Sequence, residues 1–160
     1  MTKNFKEPKS KALKALIATE GIFAFMGFAS GFVLLFSPSG KVMGVTHLLK
    51  NAPVGDFTLV GLFFVAFYGV MPALAAYGLW TQKRWHWTDV LNEWTGQHWA
   101  WTASAALGII LIIWIAVEVI LLGFIDGIGG VLQVVMAGLG LFVLALVMLP
   151  SVRSSTKLEA

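Results

Sequence analysis

Four apolar runs, each long enough to cross a lipid bilayer as a helix, constrain this chain more than any other feature of its sequence. An α-helix rises about 1.5 Å per residue, so about twenty apolar residues cover the roughly 30 Å of hydrocarbon in a membrane. The runs predict spans over about 12–36, 57–80, 99–124 and 128–149, all within one membrane domain of residues 1–160. Turn chemistry marks their ends. Pro8 and Ser10 precede the first run, and Ser37, Pro38, Ser39 and Gly40 close it. Asp56 stands where it caps the second, inside which Pro72 removes a backbone hydrogen bond and predicts a kink. Ile125, Asp126 and Gly127 make so short a connection that the third and fourth spans form a tight antiparallel hairpin, and Pro150 with Ser151 stops the chain's last run. The expectation is an all-α polytopic membrane protein, a bundle of four transmembrane helices. Composition agrees, because 58% hydrophobic against 12% charged residues leaves an apolar surplus that lipid must cover.

Charge gives the orientation. With the N-terminus cytoplasmic, nine of the eleven Lys and Arg residues fall inside: Lys3, Lys6, Lys9, Lys11, Lys14, Lys83, Arg84, Arg153 and Lys157. Only Lys41 and Lys50 fall outside. Basic loops resist translocation, so both termini and the middle loop are expected in the cytoplasm. The first run, residues 16–36, exceeds a secretory h-region and is expected to stay as a span. The lysine-rich tail, opposed only by Glu7, reads as an anchor on anionic lipid head groups rather than a nucleic-acid patch. No cysteine is present, which excludes disulfides, thiolate metal sites and cysteine nucleophiles.

The two longer loops differ in kind. Val42, Met43, Val45, Leu48 and Leu49 in the outer loop suit a short helix on the membrane surface. In the inner loop Trp80, Trp85, Trp87, Trp94, Trp99 and Trp101 crowd together beside His86, His98, Asp89 and Glu93. Tryptophan favours the head-group zone, where its ring is buried and its N–H meets water or ester oxygens, so an aromatic belt is the expected reading. An aromatic cage for a flat or cationic ligand is the functional alternative. Haem is not expected, because His86 and His98 are loop residues and His47 lies across the bilayer.

Two carboxylates fall inside spans, where an ionised group costs several kcal/mol unless paired, wetted or protonated. Glu20 lies about 12 Å in from the cytoplasmic end and Glu118 about 9 Å from the outer face, by helical rise. They sit in opposite leaflets, too far apart for a paired-carboxylate acid/base site. Gln133 reaches the depth of Glu118 across the hairpin, so a hydrogen bond between them is expected as helix glue, with Trp114 one turn below. The functional alternative is a ligand or proton site opening outward. Glu20 is expected to donate to a carbonyl freed by Pro72, helped by Thr19. Small residues recur at four-residue spacing: Gly27 and Gly31, Gly69 and Ala73, then Ala100, Ser104 and Gly108. Such stripes let helices approach closely, so a substitution at Gly31 is expected to disturb packing more than one at the turn residue Gly40. No phosphate loop, metal-ligand spacing or nucleophile elbow is present.

Residues 99–119, with the apolar series 107–115 and then Glu118, followed by a hairpin and the ending Leu149, Pro150, Ser151, Val152 and Arg153, resemble a widespread group of small uncharacterised bacterial four-helix integral membrane proteins. The resemblance covers roughly residues 20–153. It implies four spans and the bacterial inner (plasma) membrane, and it brings no activity. The tryptophan-rich loop is longer here than in that group. Taken together, the expectation is a non-enzymatic integral membrane protein that binds lipid or a hydrophobic ligand, or serves as an accessory membrane subunit. The alternative is a small oligomeric proton- or cation-linked transporter or channel with Glu20 and Glu118 as stations. A lipid-acting enzyme ranks lowest, since no catalytic constellation is visible. No catalytic residue, metal or cofactor is expected; membrane lipids, a second copy or another membrane protein are the expected partners. The candidate polar site is Glu118, Gln133, Trp114 and Glu20, and the interfacial aromatic loop is Trp85, Trp87, Trp94 and Trp99.

Overall fold

The computed structural model describes residues 9–158, so the predicted tail residues Lys3, Lys6, Glu7 and Pro8 lie outside it. The first helix, α1 (Lys11–Phe36), starts where the Ser10 hydroxyl oxygen accepts the Leu13 amide at 3.1 Å. The second span, α2 (Thr58–Thr81), is set by Asp56, whose carboxylate accepts the Thr58 amide at 2.8 Å. That amide holds the Asp56 carboxyl below the usual carboxylate range. A short α3 (Asp89–Thr95) follows within the tryptophan-rich loop. Then come α4 (Trp99–Leu122), α5 (Ile128–Met148) and a final turn-and-a-half, α6 (Pro150–Thr156). Among the described residues, α1, α2, α4 and α5 are the four helices long and apolar enough to cross a membrane.

The predicted spans match within two residues, and each difference has a local cause. The third helix stops at Leu122 because Gly123 adopts a positive φ of 76°, which a helix cannot continue through. At Pro72 the missing backbone bond has a visible consequence. The proline ring would strike the carbonyl four residues back, and the helix absorbs this by widening into a π-helical stretch, Phe64–Val70. The short helix expected in the outer loop is a single 3₁₀ segment, Thr46–Lys50.

Glycine sets the spacing of the helix pairs. A Cβ on Gly27 would overlap the Tyr68 carbonyl and the Gly69 amide, and one on Gly31 would stand 2.8 Å from the Val65 amide. Gly108 and Gly140 meet similarly, each Cβ position 3.0 Å from the other's carbonyl oxygen. The small-residue stripes are thus spent inside the protomer, joining α1 to α2 and α4 to α5. Gly40 differs from its expected role as a permissive turn residue. Its φ is 71° and a side chain there would meet Phe57 and Val45 at 2.7 Å, so substitution is strained at this position too.

Two apolar cores fill the bundle. At the end where α1 begins and α6 lies, Leu13, Leu16, Leu79, Trp99, Val147 and Val152 pack together. Further along, Phe23, Tyr68, Leu111 and Ile115 form the second, flanked by Phe63, Phe64 and Trp114.

Candidate functional site

The polar residues singled out in the spans divide into two separate assemblies. Near the far end of the bundle, Gln133 Nε2 donates to Glu118 Oε1 at 3.1 Å, and Trp114 Nε1 donates to Glu118 Oε2 at 3.1 Å. Both carboxylate oxygens therefore accept from neutral N–H donors. Gln133 also accepts the Ile125 amide at 3.1 Å and reaches the Gly123 carbonyl at 3.4 Å. It ties α4, α5 and their connecting turn in one stroke. This is the geometry of a structural clasp, and the expected hydrogen bond between Glu118 and Gln133 is present.

Tyr68 lies within electrostatic reach of Glu118 and was not singled out from the sequence. It is 2% exposed, its hydroxyl has no hydrogen-bond partner, and its ring packs against Phe23, Phe63, Phe64 and Trp114. A lone tyrosine in the phenylalanine-rich stretch 63–68 was the available signal.

Glu20 stands apart. It is 1% exposed and its Oε1 has no partner. It does not reach a carbonyl near Pro72, because the level of Tyr68 on α2 coincides with Gly27, seven residues or about 10 Å along α1. The neighbour of its carboxyl is the Ser104 hydroxyl of α4, which itself donates to the Ala100 carbonyl at 3.0 Å. Ser104 precedes Glu118 by fourteen residues on α4, so the two carboxylates are separated by about 21 Å along the bundle. No acid/base pair can form between them.

The aromatic loop is an ordered cap at the end where α1 begins. Trp85 is its centre, stacked on Trp99 at 4.5 Å, on Trp87 at 5.6 Å and on Tyr77 at 6.2 Å. The Lys83 carbonyl accepts from Trp99 Nε1 at 3.0 Å and from His98 Nε2 at 3.2 Å. His98 Nδ1 in turn accepts the Ala100 amide at 3.2 Å and so caps α4. Burial, more than any charge, pushes the His98 imidazole below its ordinary pKa. The C-terminal segment latches this cap. Thr156 Oγ1 donates to Gln97 Oε1 at 2.8 Å, the His98 amide donates to the Thr156 carbonyl at 2.8 Å, and Gln82 Nε2 donates to the Ser155 carbonyl at 2.8 Å. Nothing in the local sequence pattern announced that latch, since its partners are up to 73 residues apart.

One face of the cap's outer surface is apolar, flanked by exposed His86 and Glu93. Trp87, Val90 and Trp94 are 73%, 76% and 82% exposed, and Leu91 is also exposed. Their spacing of three and four residues places them on one face. The opposite face carries buried Thr88 and Asn92. In water this polarity is inverted. Beside it, Leu74, Arg84, Trp85, His86 and Trp87 line an open groove of about 520 Å³. Among the described residues no group of three or more metal-ligating side chains is gathered. No protein-family profile, curated protein or solved structure matches the chain.

Proposed function

We propose that this is a non-enzymatic, multi-pass protein of the bacterial inner membrane that binds membrane lipid through its cytoplasmic aromatic cap. The observation that carries this reading is the inverted polarity of α3 and the turn before it, with Trp87, Val90, Leu91 and Trp94 outward and Thr88 and Asn92 inward. A surface of that kind is stable when acyl chains and head groups cover it. It continues the lipid-facing side of α2, where Tyr77 and Trp80 are exposed and Lys9 lies 5.5 Å from the Trp80 ring centre. In detergent, added phospholipid should raise the thermal stability of the wild type. The double variant Val90→Asp, Trp94→Asp alters only exposed side chains, so it should fold yet gain much less from the same lipid. An equal gain in both proteins would overturn the reading.

A second reading, a small oligomeric proton- or cation-linked transporter, draws on one observation. Glu20 Oε1 and the Tyr68 hydroxyl are both buried without a partner inside the bundle, and intramembrane ionisable groups commonly mark ion paths. Against it, the small-residue stripes that an oligomer would use are already engaged within the protomer. Proteoliposomes showing pH-driven flux that Glu20→Gln abolishes would favour this second reading.

A further inference from the structure

We propose that the groove between α2 and the aromatic cap is a specific site for one anionic phospholipid, with Arg84 taking the phosphate. The inference rests on the lipid-binding reading above and names the ligand of one part of that surface. The groove has two kinds of wall. Leu74, within the span, and the rings of Trp85 and Trp87 offer apolar surface for the upper acyl chain and the glycerol backbone. Arg84, exposed at the rim, offers a planar guanidinium whose paired N–H groups match two phosphate oxygens.

Hydrogen-bond accounting adds a second line of argument. The indole N–H groups of Trp99, Trp101 and Trp114 are bonded to the Lys83 carbonyl, the Val147 carbonyl and Glu118. Those of Trp80, Trp85, Trp87 and Trp94 make no hydrogen bond among the described residues, and two of these, Trp85 and Trp87, line the groove and are left for ester or phosphate oxygens. Asp89 is engaged with His86 at 3.5 Å and accepts from Asn92 Nδ2 at 3.2 Å, and no carboxylate among the described residues lies within ion-pair distance of Arg84. Lys83 adjoins it on the exposed side and adds to the positive potential. A free inorganic anion would use Arg84 alone and leave the aromatic and Leu74 walls uncovered. A diacyl lipid uses all of them.

The test uses the full chain in nanodiscs of equal phosphatidylglycerol and phosphatidylcholine, extracted into mild detergent, with retained lipids identified by native mass spectrometry. The wild type should retain phosphatidylglycerol preferentially. Arg84→Gln should reduce that preference roughly tenfold, as expected for loss of a charge-assisted hydrogen-bonded pair. Lys6→Gln, in the basic tail, should change it little, which separates the site from diffuse attraction by that tail. Equal retention of both lipids by the wild type would overturn the proposal, as would an Arg84→Gln variant that keeps the preference. Displacement of the lipid by millimolar inorganic phosphate would also overturn it, by making the site one for free anions. These outcomes leave the broader reading standing if phospholipid of any head group still stabilises the protein, so the two fail separately.

Discussion

His98 accepts the Ala100 amide on Nδ1 and donates from Nε2 to Lys83, which fixes it as the neutral ring. Protonation would turn Nδ1 from acceptor to donor against that amide. Its folded pKa lies below the ordinary 6.5, so the unfolded chain binds the proton more readily. The stability it contributes is present above pH 6.5 and is lost as pH falls through the lowered folded value. Thermal melts in detergent should therefore weaken on acidification below 6.5, and His98→Asn, which keeps a capping acceptor without the titration, should flatten that part of the profile. A second residue-level prediction concerns Gly27, whose Cβ would meet the Tyr68 backbone, against Gly21, where nothing lies within 4 Å. Gly27→Ala should cost about 1–3 kcal/mol by overpacking. Gly21→Ala should stay within about 0.5 kcal/mol. Similar melting temperatures for the two variants would contradict the packing.

The hairpin of α4 and α5 depends on one amide. Gln133 joins Glu118, Ile125 and Gly123, so Gln133→Leu should destabilise more than any change at Glu118. Glu118→Gln places an amide nitrogen against one of two N–H donors and should cost about 1 kcal/mol, one intramembrane hydrogen bond. Denaturant titration in micelles measures both, and the opposite order would contradict the clasp. The elements themselves were legible in the sequence because their signals are local: runs of apolar residues, Ser10 and Asp56 as caps, and glycine and proline as breaks. The partner of Glu118 was legible as well, since a short connection, five residues from Gly123 to Gly127, fixes the register of a hairpin. The partner of Glu20 was not. Ser104 is 84 positions away, on a helix that packs mainly on α2 and α5 rather than on α1, so only the assembled bundle brings it close. The π-helical stretch was equally hidden, because Pro72 says that a backbone bond must fail without saying how the helix absorbs the loss.

At the scale of the whole molecule, the two ends of the bundle are built differently. The far end is clasped by Gln133, while the end where α1 begins is a stack of aromatic rings latched by the last residues of the chain. Weakening the latch with Thr156→Val takes away one of its three bonds, the one to Gln97, and should loosen the cap without disturbing the spans. Hydrogen exchange would then rise in residues 82–98 and stay unchanged in the middle of α4. The account's central claim is that the outward face of this cap lies in lipid. The chain has no cysteine, so a single nitroxide can be attached at Val90→Cys, and another at Lys41→Cys as an exposed reference on the opposite side. Electron paramagnetic resonance with a membrane-soluble and a water-soluble relaxation agent reads the depth of each label in bilayers. The account predicts that the label at position 90 collides mainly with oxygen and is shielded from the water-soluble nickel chelate, while the label at 41 behaves oppositely. A label at position 90 as open to the nickel chelate as the one at 41 would contradict it.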